Sequence, residues 1–164
     1  MDLLFHLIVP LSILYFLGIK NKIIFLLLPL AVVFDFTKPF YPRESHSMII
    51  LAIILAAIAA VLISFKVRNK KFILKISAFY MISHLILDLG WYLPLFWPLI
   101  KDFYQINLNV SLNGFIPAIN FSINALQIPP LQPGVPKIFS TESIGLLALM
   151  AAAYFYTKIS KKKS

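Results

Sequence analysis

The sequence predicts an all-α integral membrane protein, a five-helix transmembrane bundle with a long loop or β-hairpin between its fourth and fifth helices. Hydrophobic residues make up 60% of the 164 residues and charged residues only 13%, whereas soluble domains average about 25% charged residues. The apolar residues fall into five stretches, and basic residues are concentrated in alternate gaps between them. A chain of this length is expected to form a single domain.

The five apolar stretches are the predicted transmembrane helices. They cover residues 3–17, 23–36, 48–65, 72–90 and 143–157. Pro29 lies inside the second stretch and predicts a kink there. Several stretches are shorter than the roughly 20 residues of a perpendicular span, which local thinning of the bilayer or a re-entrant element could accommodate.

The basic residues predict an orientation. Eleven fall on one side of the predicted helices, namely Lys20, Lys22, Lys66, Arg68, Lys70, Lys71, Lys75, Lys158, Lys161, Lys162 and Lys163. Four fall on the other side, namely Lys38, Arg43, Lys101 and Lys137. The positive-inside rule then predicts a multi-pass protein of the cell membrane, with its N-terminus outside and its basic tail, 158–164, in the cytoplasm. Membrane lipids explain the net charge of +9 better than nucleic acid does, so no nucleic-acid partner is expected.

The segment 101–142 has a different composition, rich in Asn, Pro and Gln. Residues 106–112 alternate between apolar and polar with period two, and residues 119–124 do so again, which is typical of half-buried strands. Asn113-Gly114 between them is a strong hairpin turn signal. We expect an outer-face β-hairpin or extended lid, and the alternative is that the segment only tethers two helices.

Ionisable residues within or beside the apolar stretches are the candidate functional residues, because each costs free energy there unless it has a partner. All three histidines and two of the six acids fall near the predicted outer face. They are His6, Asp35, His46, His84 and Asp88. His84 and Asp88 are four residues apart and share one helix face, the spacing of the two histidines in the helical H-E-x-x-H zinc motif. We therefore predict that these five residues bind a divalent metal.

The donor atoms indicate which metal and which chemistry to expect. Imidazole nitrogens and carboxylate oxygens suit zinc, with manganese and iron as alternatives, and five ligands also allow two metals or supporting roles. A bound metal lowers the pKa of its water. Asp35 or Asp88 could then act as a general base, and the planar fork of Arg43 could hold a phosphate. Asp35, Asp88 and Arg43 are accordingly the predicted catalytic residues.

Each candidate also has a structural alternative. The histidine and aspartate of the fourth helix could be only an internal hydrogen-bonded pair, and His6 could simply lie at an interface. Asp35 could cap the end of its own helix or form an ion pair. Residues 45–47 could cap the third helix, because serine is a favoured capping residue. Arg43 could only contact lipid or a neighbouring acid.

Five short motifs follow one another in the first hundred residues. They are Phe5-His6, Phe34-Asp35-Phe36-Thr37, Arg43-Glu44-Ser45-His46-Ser47, Ser83-His84-Leu85-Ile86-Leu87-Asp88 and Phe96-Trp97-Pro98. In order and spacing they resemble the YdjM-type family of predicted membrane-bound metal-dependent hydrolases. Thr37 and Pro42 stand where that family has an acid and a histidine. The resemblance implies a metal held by the histidines and aspartates and a hydrolytic reaction.

The function expected from these observations is that of a membrane-embedded metal-dependent hydrolase. Its substrate would be amphiphilic, such as a phospholipid or a lipid-linked phosphoester, and would be cleaved at the outer leaflet. The alternatives are non-enzymatic: an ion-binding or transport protein, or a structural partner subunit that docks through the Asn-rich hairpin. A transporter is expected to have inverted repeats or polar residues deep in the bundle, and the sequence has neither.

Overall fold

The computed structural model describes residues 3–37, 45–113 and 116–127, together with residues 145 and 147. The helices in this part of the chain are α1 (Leu3–Phe16), α2 (Lys22–Leu26), α3 (Val33–Thr37), α4 (Met48–Ser64) and α5 (Lys70–Asp88). A 3-10 segment, Leu28–Val32, lies between α2 and α3. Two strands follow, β1 (Phe103–Asn113) and β2 (Ile116–Leu126).

Among the described helices, none is both long enough and apolar enough to cross a membrane. α4 is apolar up to its final serine but has only 17 residues, about 26 Å at the rise of an α-helix, against a hydrocarbon core of about 30 Å. α5 has 19 residues but carries three lysines in its first two turns and Asp88 at its end. The predicted five-helix transmembrane bundle is therefore wrong, and so are the multi-pass cell-membrane location and the orientation derived from it.

The predicted second helix is replaced by three short elements, and Pro29 explains the break. Because Pro29 has no N–H, it cannot donate to the carbonyl one turn earlier, and α2 ends at Leu26. The chain continues as the 3-10 segment, with the proline near its start, before α3 begins. The predicted fifth helix, 143–157, and the basic tail, 158–164, lie outside the described residues except for positions 145 and 147, which are helical.

Helix α5 carries the buried stripe around which the other elements pack. Its buried residues are Ile76, Ser77, Tyr80, Met81, His84, Leu85 and Asp88. Their spacing of three and four residues places them on one face of the helix. Tyr80 packs in a cluster with Leu14 and Ile24, and Met81 packs in a second cluster with Phe34 and Leu51. The stripe ends on His84 and Asp88, so the same packing that fixes α5 also positions these two polar residues.

Tyr80 joins α5 to α2 by a buried hydrogen bond. Its hydroxyl donates to the carbonyl of Ile24 at 2.9 Å, and burial raises the pKa of Tyr80 to about 12. We expect Tyr80→Phe to lower the free energy of unfolding by about 1 kcal/mol at pH 7, measured by urea titration, because the Ile24 carbonyl loses its donor.

The raised pKa of Tyr80 adds a pH dependence to this prediction. The buried phenol binds its proton more tightly in the folded state, so its contribution is complete below pH 10, the unfolded value, and is lost as the pH rises towards 12. Tyr80→Phe should therefore lose less stability than the wild type over this range. Equal stabilities at pH 7 and parallel losses above pH 10 would contradict the assigned hydrogen bond.

The two strands form an antiparallel hairpin, as their alternating pattern predicts. The pairing extends from Phe103 opposite Leu126 to Asn113 opposite Ile116, so both strands are longer than the alternating segments. A bridge between Leu93 and Tyr104 joins β1 to the chain that follows α5. The prediction that this hairpin lies on an outer membrane face is wrong together with the membrane bundle.

Candidate metal centre

Four aspartate and histidine residues from three separate segments meet at the C-terminal end of α5. Asp35 comes from α3, His46 from the turn before α4, and His84 and Asp88 from α5 itself. Each offers one ligand atom, and these four atoms lie within 4.8 Å of one another. The cluster could hold a metal ion. It contains four of the five predicted ligands, and the fifth, His6, lies beside it.

Three of the ligand atoms form an equilateral triangle. Nε2 of His46 lies 3.3 Å from Nε2 of His84, and each nitrogen lies 3.3 Å from Oδ2 of Asp88. A tetrahedral site with metal–ligand bonds of about 2.0–2.1 Å, as in protein zinc sites, has edges of roughly 3.3–3.4 Å. The triangle therefore has the dimensions of one face of a tetrahedral zinc site.

Hydrogen bonds on the far side of the imidazoles determine which nitrogen faces the cluster. Nδ1 of His84 donates to the carbonyl of Ala31 at 2.7 Å, because a carbonyl oxygen can only accept. Nε2 of neutral His84 is therefore unprotonated and directs its lone pair at the triangle. Nδ1 of His46 lies 3.1 Å from Oγ of Ser45, a partner that could hold His46 in the same tautomer.

The electrostatics of the triangle favour a cation at its centre. Oδ2 of Asp88 is buried and has no hydrogen-bond partner among the described residues. Burial raises the pKa of Asp88, but the surrounding histidines, His46 first, then His6 and His84, outweigh burial and hold it well below its usual range. With Nε2 of both imidazoles unprotonated, an ionised carboxylate and two imidazole lone pairs converge, and buried polar groups of this kind require a partner.

Asp35 lies on the more open side of the cluster. Its Oδ1 is 3.9 Å from Nε2 of both His46 and His84, which is longer than the edges of the triangle. Its side chain is 10% exposed, whereas that of Asp88 is 1% exposed. Asp35 therefore lies beside the triangle, farther from the histidine nitrogens than Oδ2 of Asp88 does.

His6 contacts Asp88 and lies outside the group of four. Its Nε2 is 2.9 Å from Oδ1 of Asp88, the oxygen that does not belong to the triangle. Its ring packs on that of His84, with 4.4 Å between the ring centroids. The sequence predicts His6 as a metal ligand, and the structure places its Nε2 at Oδ1 of Asp88.

Residues 45–47 combine two roles that the sequence treats as alternatives. Oγ of Ser47 accepts from the backbone N–H of Ile49 at 3.1 Å and so caps α4, while its hydroxyl donates to the carbonyl of Trp97 at 2.7 Å. His46, one residue earlier, turns into the cluster. The cap fixes where α4 begins and thereby where His46 lies.

Two further groups shape the site and are missing from the sequence prediction. Ala31 supplies the carbonyl that orients His84. The ring of Phe34 lies 5.7 Å from the ring of His46 and 5.4 Å from that of His84, measured between centroids. An aromatic residue directly before Asp35 is a signal that could have predicted an apolar wall, whereas a main-chain carbonyl leaves no signal in the sequence. Arg43, the predicted phosphate contact, lies outside the described residues and stays a prediction.

Comparison of the chain with protein-family models, characterised proteins and solved structures gives no match. The resemblance to YdjM-type hydrolases therefore stays a prediction from the motifs. The fold and the site define the class of protein: a helical chain with a small β-hairpin and a buried cluster of two histidines and two aspartates that could hold a metal ion.

Proposed function

We propose that the protein is a metal-dependent hydrolase whose metal is one zinc ion bound by His46, His84 and Asp88. The triangle of 3.3 Å edges that these residues form is the observation that carries the proposal. Zinc accepts two imidazoles and one carboxylate and, in catalytic sites, keeps a fourth position for water or substrate. Manganese and iron accept the same donor types and are the alternatives that metal analysis would distinguish.

The residues of the cluster divide the remaining tasks. The metal would act as a Lewis acid and lower the pKa of a water in the fourth position. Asp35, at 3.9 Å from both histidine nitrogens, lies where a general base could accept the proton of that water. Asp88, ionised through its low pKa, supplies negative charge to the metal, and the Ala31 carbonyl prevents His84 from rotating away.

The proposed substrate is an amphiphilic phosphoester. Support for its apolar part comes from Met48, which is 51% exposed at the start of α4, two residues after His46. Support for its phosphate part comes from Arg43, because a guanidinium matches phosphate oxygens in a bidentate manner. The resemblance of the motifs to metal-dependent hydrolases supports the reaction class.

Asp35→Asn separates metal binding from catalysis. We expect this variant to retain zinc, because the triangle is intact, and to lose about 10²–10⁴-fold in kcat through loss of the general base. The assay measures hydrolysis of bis(4-nitrophenyl) phosphate and of a phospholipid in mixed micelles, with zinc content determined on the same samples. Asp102→Asn, which removes a carboxylate outside the cluster, should retain both properties. Unchanged kcat in Asp35→Asn would refute the role of Asp35.

A second candidate is a non-enzymatic metal-binding module, and burial of the cluster favours it. The side chain of His84 is 0% exposed and that of Asp88 1%, and closed four-ligand sites are typical of structural zinc. Cobalt-substituted protein distinguishes the candidates. An open fourth position predicts that azide changes the visible spectrum, whereas a closed site predicts no change. A closed site together with no hydrolysis of either probe would overturn the hydrolase in favour of the module.

A further inference from the structure

The two oxygens of Asp88 have different surroundings. Oδ2 faces the two histidine nitrogens of the triangle and has no hydrogen-bond partner in the described part of the chain. Oδ1 is 2.9 Å from Nε2 of His6. Because an ionised carboxylate can only accept, Nε2 of His6 must carry the proton in this contact. A protonated nitrogen has no lone pair for a metal, so His6 in this position is a donor to a ligand and cannot itself be a ligand through that atom.

We propose that His6 is a positioning residue that restricts Asp88 to one metal-binding oxygen and thereby makes the centre selective for four-coordinate zinc. The inference rests on the metal centre of the proposed function, and it is independent of whether that centre hydrolyses anything. It replaces the prediction that His6 is a ligand.

The coordination chemistry of carboxylates explains the selectivity. A carboxylate can bind a metal through one oxygen or through both, and the larger oxygen-binding ions use the second mode to reach six or more ligands. A strong donor at Oδ1 competes with that second bond. Zinc needs only four ligands at about 2.0–2.2 Å, whereas manganese favours an octahedral set. A carboxylate held in the one-oxygen mode thus favours zinc.

The position of His6 suits this task. Its side chain is buried, with a relative exposure of 3%, so water does not compete strongly for Oδ1. Contact with Asp88 spans 82 residues of sequence and connects α1 to the end of α5. The packing of its ring on His84 limits rotation of both rings. Removal of such an outer partner typically costs a metal site about 10–100-fold in affinity.

Three variants of His6 test the inference. His6→Leu removes the donor, His6→Gln places an amide N–H close to the position of Nε2, and His6→Asn keeps an amide that is too short to reach. Zinc and manganese dissociation constants are measured by competition with a chelator, and cobalt spectra report the coordination number. Ser12→Ala, at another buried position of α1, is the matched control.

We expect His6→Leu and His6→Asn to bind zinc about 10–100-fold more weakly, to lose zinc-over-manganese selectivity, and to give the weaker cobalt absorption of a higher coordination number. His6→Gln and Ser12→Ala should resemble the wild type.

If the wild type binds no metal, the metal centre and this inference both fail. If the wild type binds zinc and His6→Leu has the same affinity, selectivity and spectrum, only the inference about His6 fails. If His6→Leu does not fold, as judged by circular dichroism, the comparison of His6→Gln with His6→Asn tests the inference. Equal zinc affinity and selectivity of these two variants would overturn it.

Discussion

Replacing Asp88 with alanine is expected to lower zinc affinity by more than about 100-fold, beyond the effect typical of residues that only support a ligand. Two of the three 3.3 Å distances in the triangle end on Oδ2 of Asp88. Asp88 is also the anionic member of the triangle. Its lowered pKa keeps the Asp88 carboxylate charged at neutral pH. Competition with a chromophoric chelator, together with metal analysis after gel filtration, measures the loss.

Two further variants make the Asp88 result specific. Asp88→Asn keeps the volume of the side chain and removes its charge, so it should also bind zinc weakly while preserving the helical circular dichroism signal. Asp102→Ala removes a carboxylate a short distance along the chain, outside the cluster, and should bind zinc as the wild type does. Stoichiometric, tightly bound zinc in Asp88→Ala would show that the ligand set is wrongly assigned.

The second large effect expected is on thermal stability. A ligand that binds only the folded state at 1,000 times its dissociation constant adds about 4 kcal/mol, and a chain of this size gains roughly 2–4 °C per kcal/mol. Zinc should therefore raise Tm by roughly 8–16 °C, and a chelator should reverse the change. Differential scanning calorimetry of the wild type and of His84→Ala measures both shifts.

The pH dependence of this stabilisation has a defined sign. Imidazoles must be neutral to bind zinc, and protons compete with the metal as the pH falls. Asp88 keeps its charge over the same range because its pKa is lowered. The zinc-dependent rise in Tm should therefore shrink between pH 7.5 and pH 5, the range in which free histidine becomes protonated. An equal rise in His84→Ala, or one that does not change with pH, would contradict binding at this cluster.

The sequence predicted which polar residues lie close together better than it predicted the fold. The ionisable residues of an apolar chain are few, and burial forces them to find partners, so their grouping could be anticipated from helix direction and spacing. The membrane prediction failed because apolar content does not determine where helices begin and end. Pro29 divides one predicted span, and the Ser47 cap sets the start of α4, which ends after 17 residues.

The hairpin was predictable because its signals are local. Period-two alternation and a turn dipeptide depend on neighbouring residues only. The function of His6 was not predictable in this way. Whether its imidazole reaches the metal position or the second oxygen of Asp88 depends on how α1 packs against α5, a contact across 82 residues. Sequence spacing thus predicted that these residues would lie close together, and packing determines which of their atoms face one another.

The junction between the 3-10 segment and α3 has a consequence for how the centre could change. Hydrogen-bond spacing changes there from that of a 3-10 helix to that of an α-helix, next to Ala31, whose carbonyl accepts from Nδ1 of His84. Every amino acid provides a main-chain carbonyl, so the contact with His84 does not require alanine at position 31. Because Ala31 is fully buried, the space around it limits only the size of the side chain there. The winding of the chain after Pro29, rather than the chemistry of any neighbouring side chain, thus sets the direction of the His84 lone pair. A substitution that converts this segment into a regular α-helix would rotate the Ala31 carbonyl. It would thereby weaken metal binding, although no ligand residue is changed.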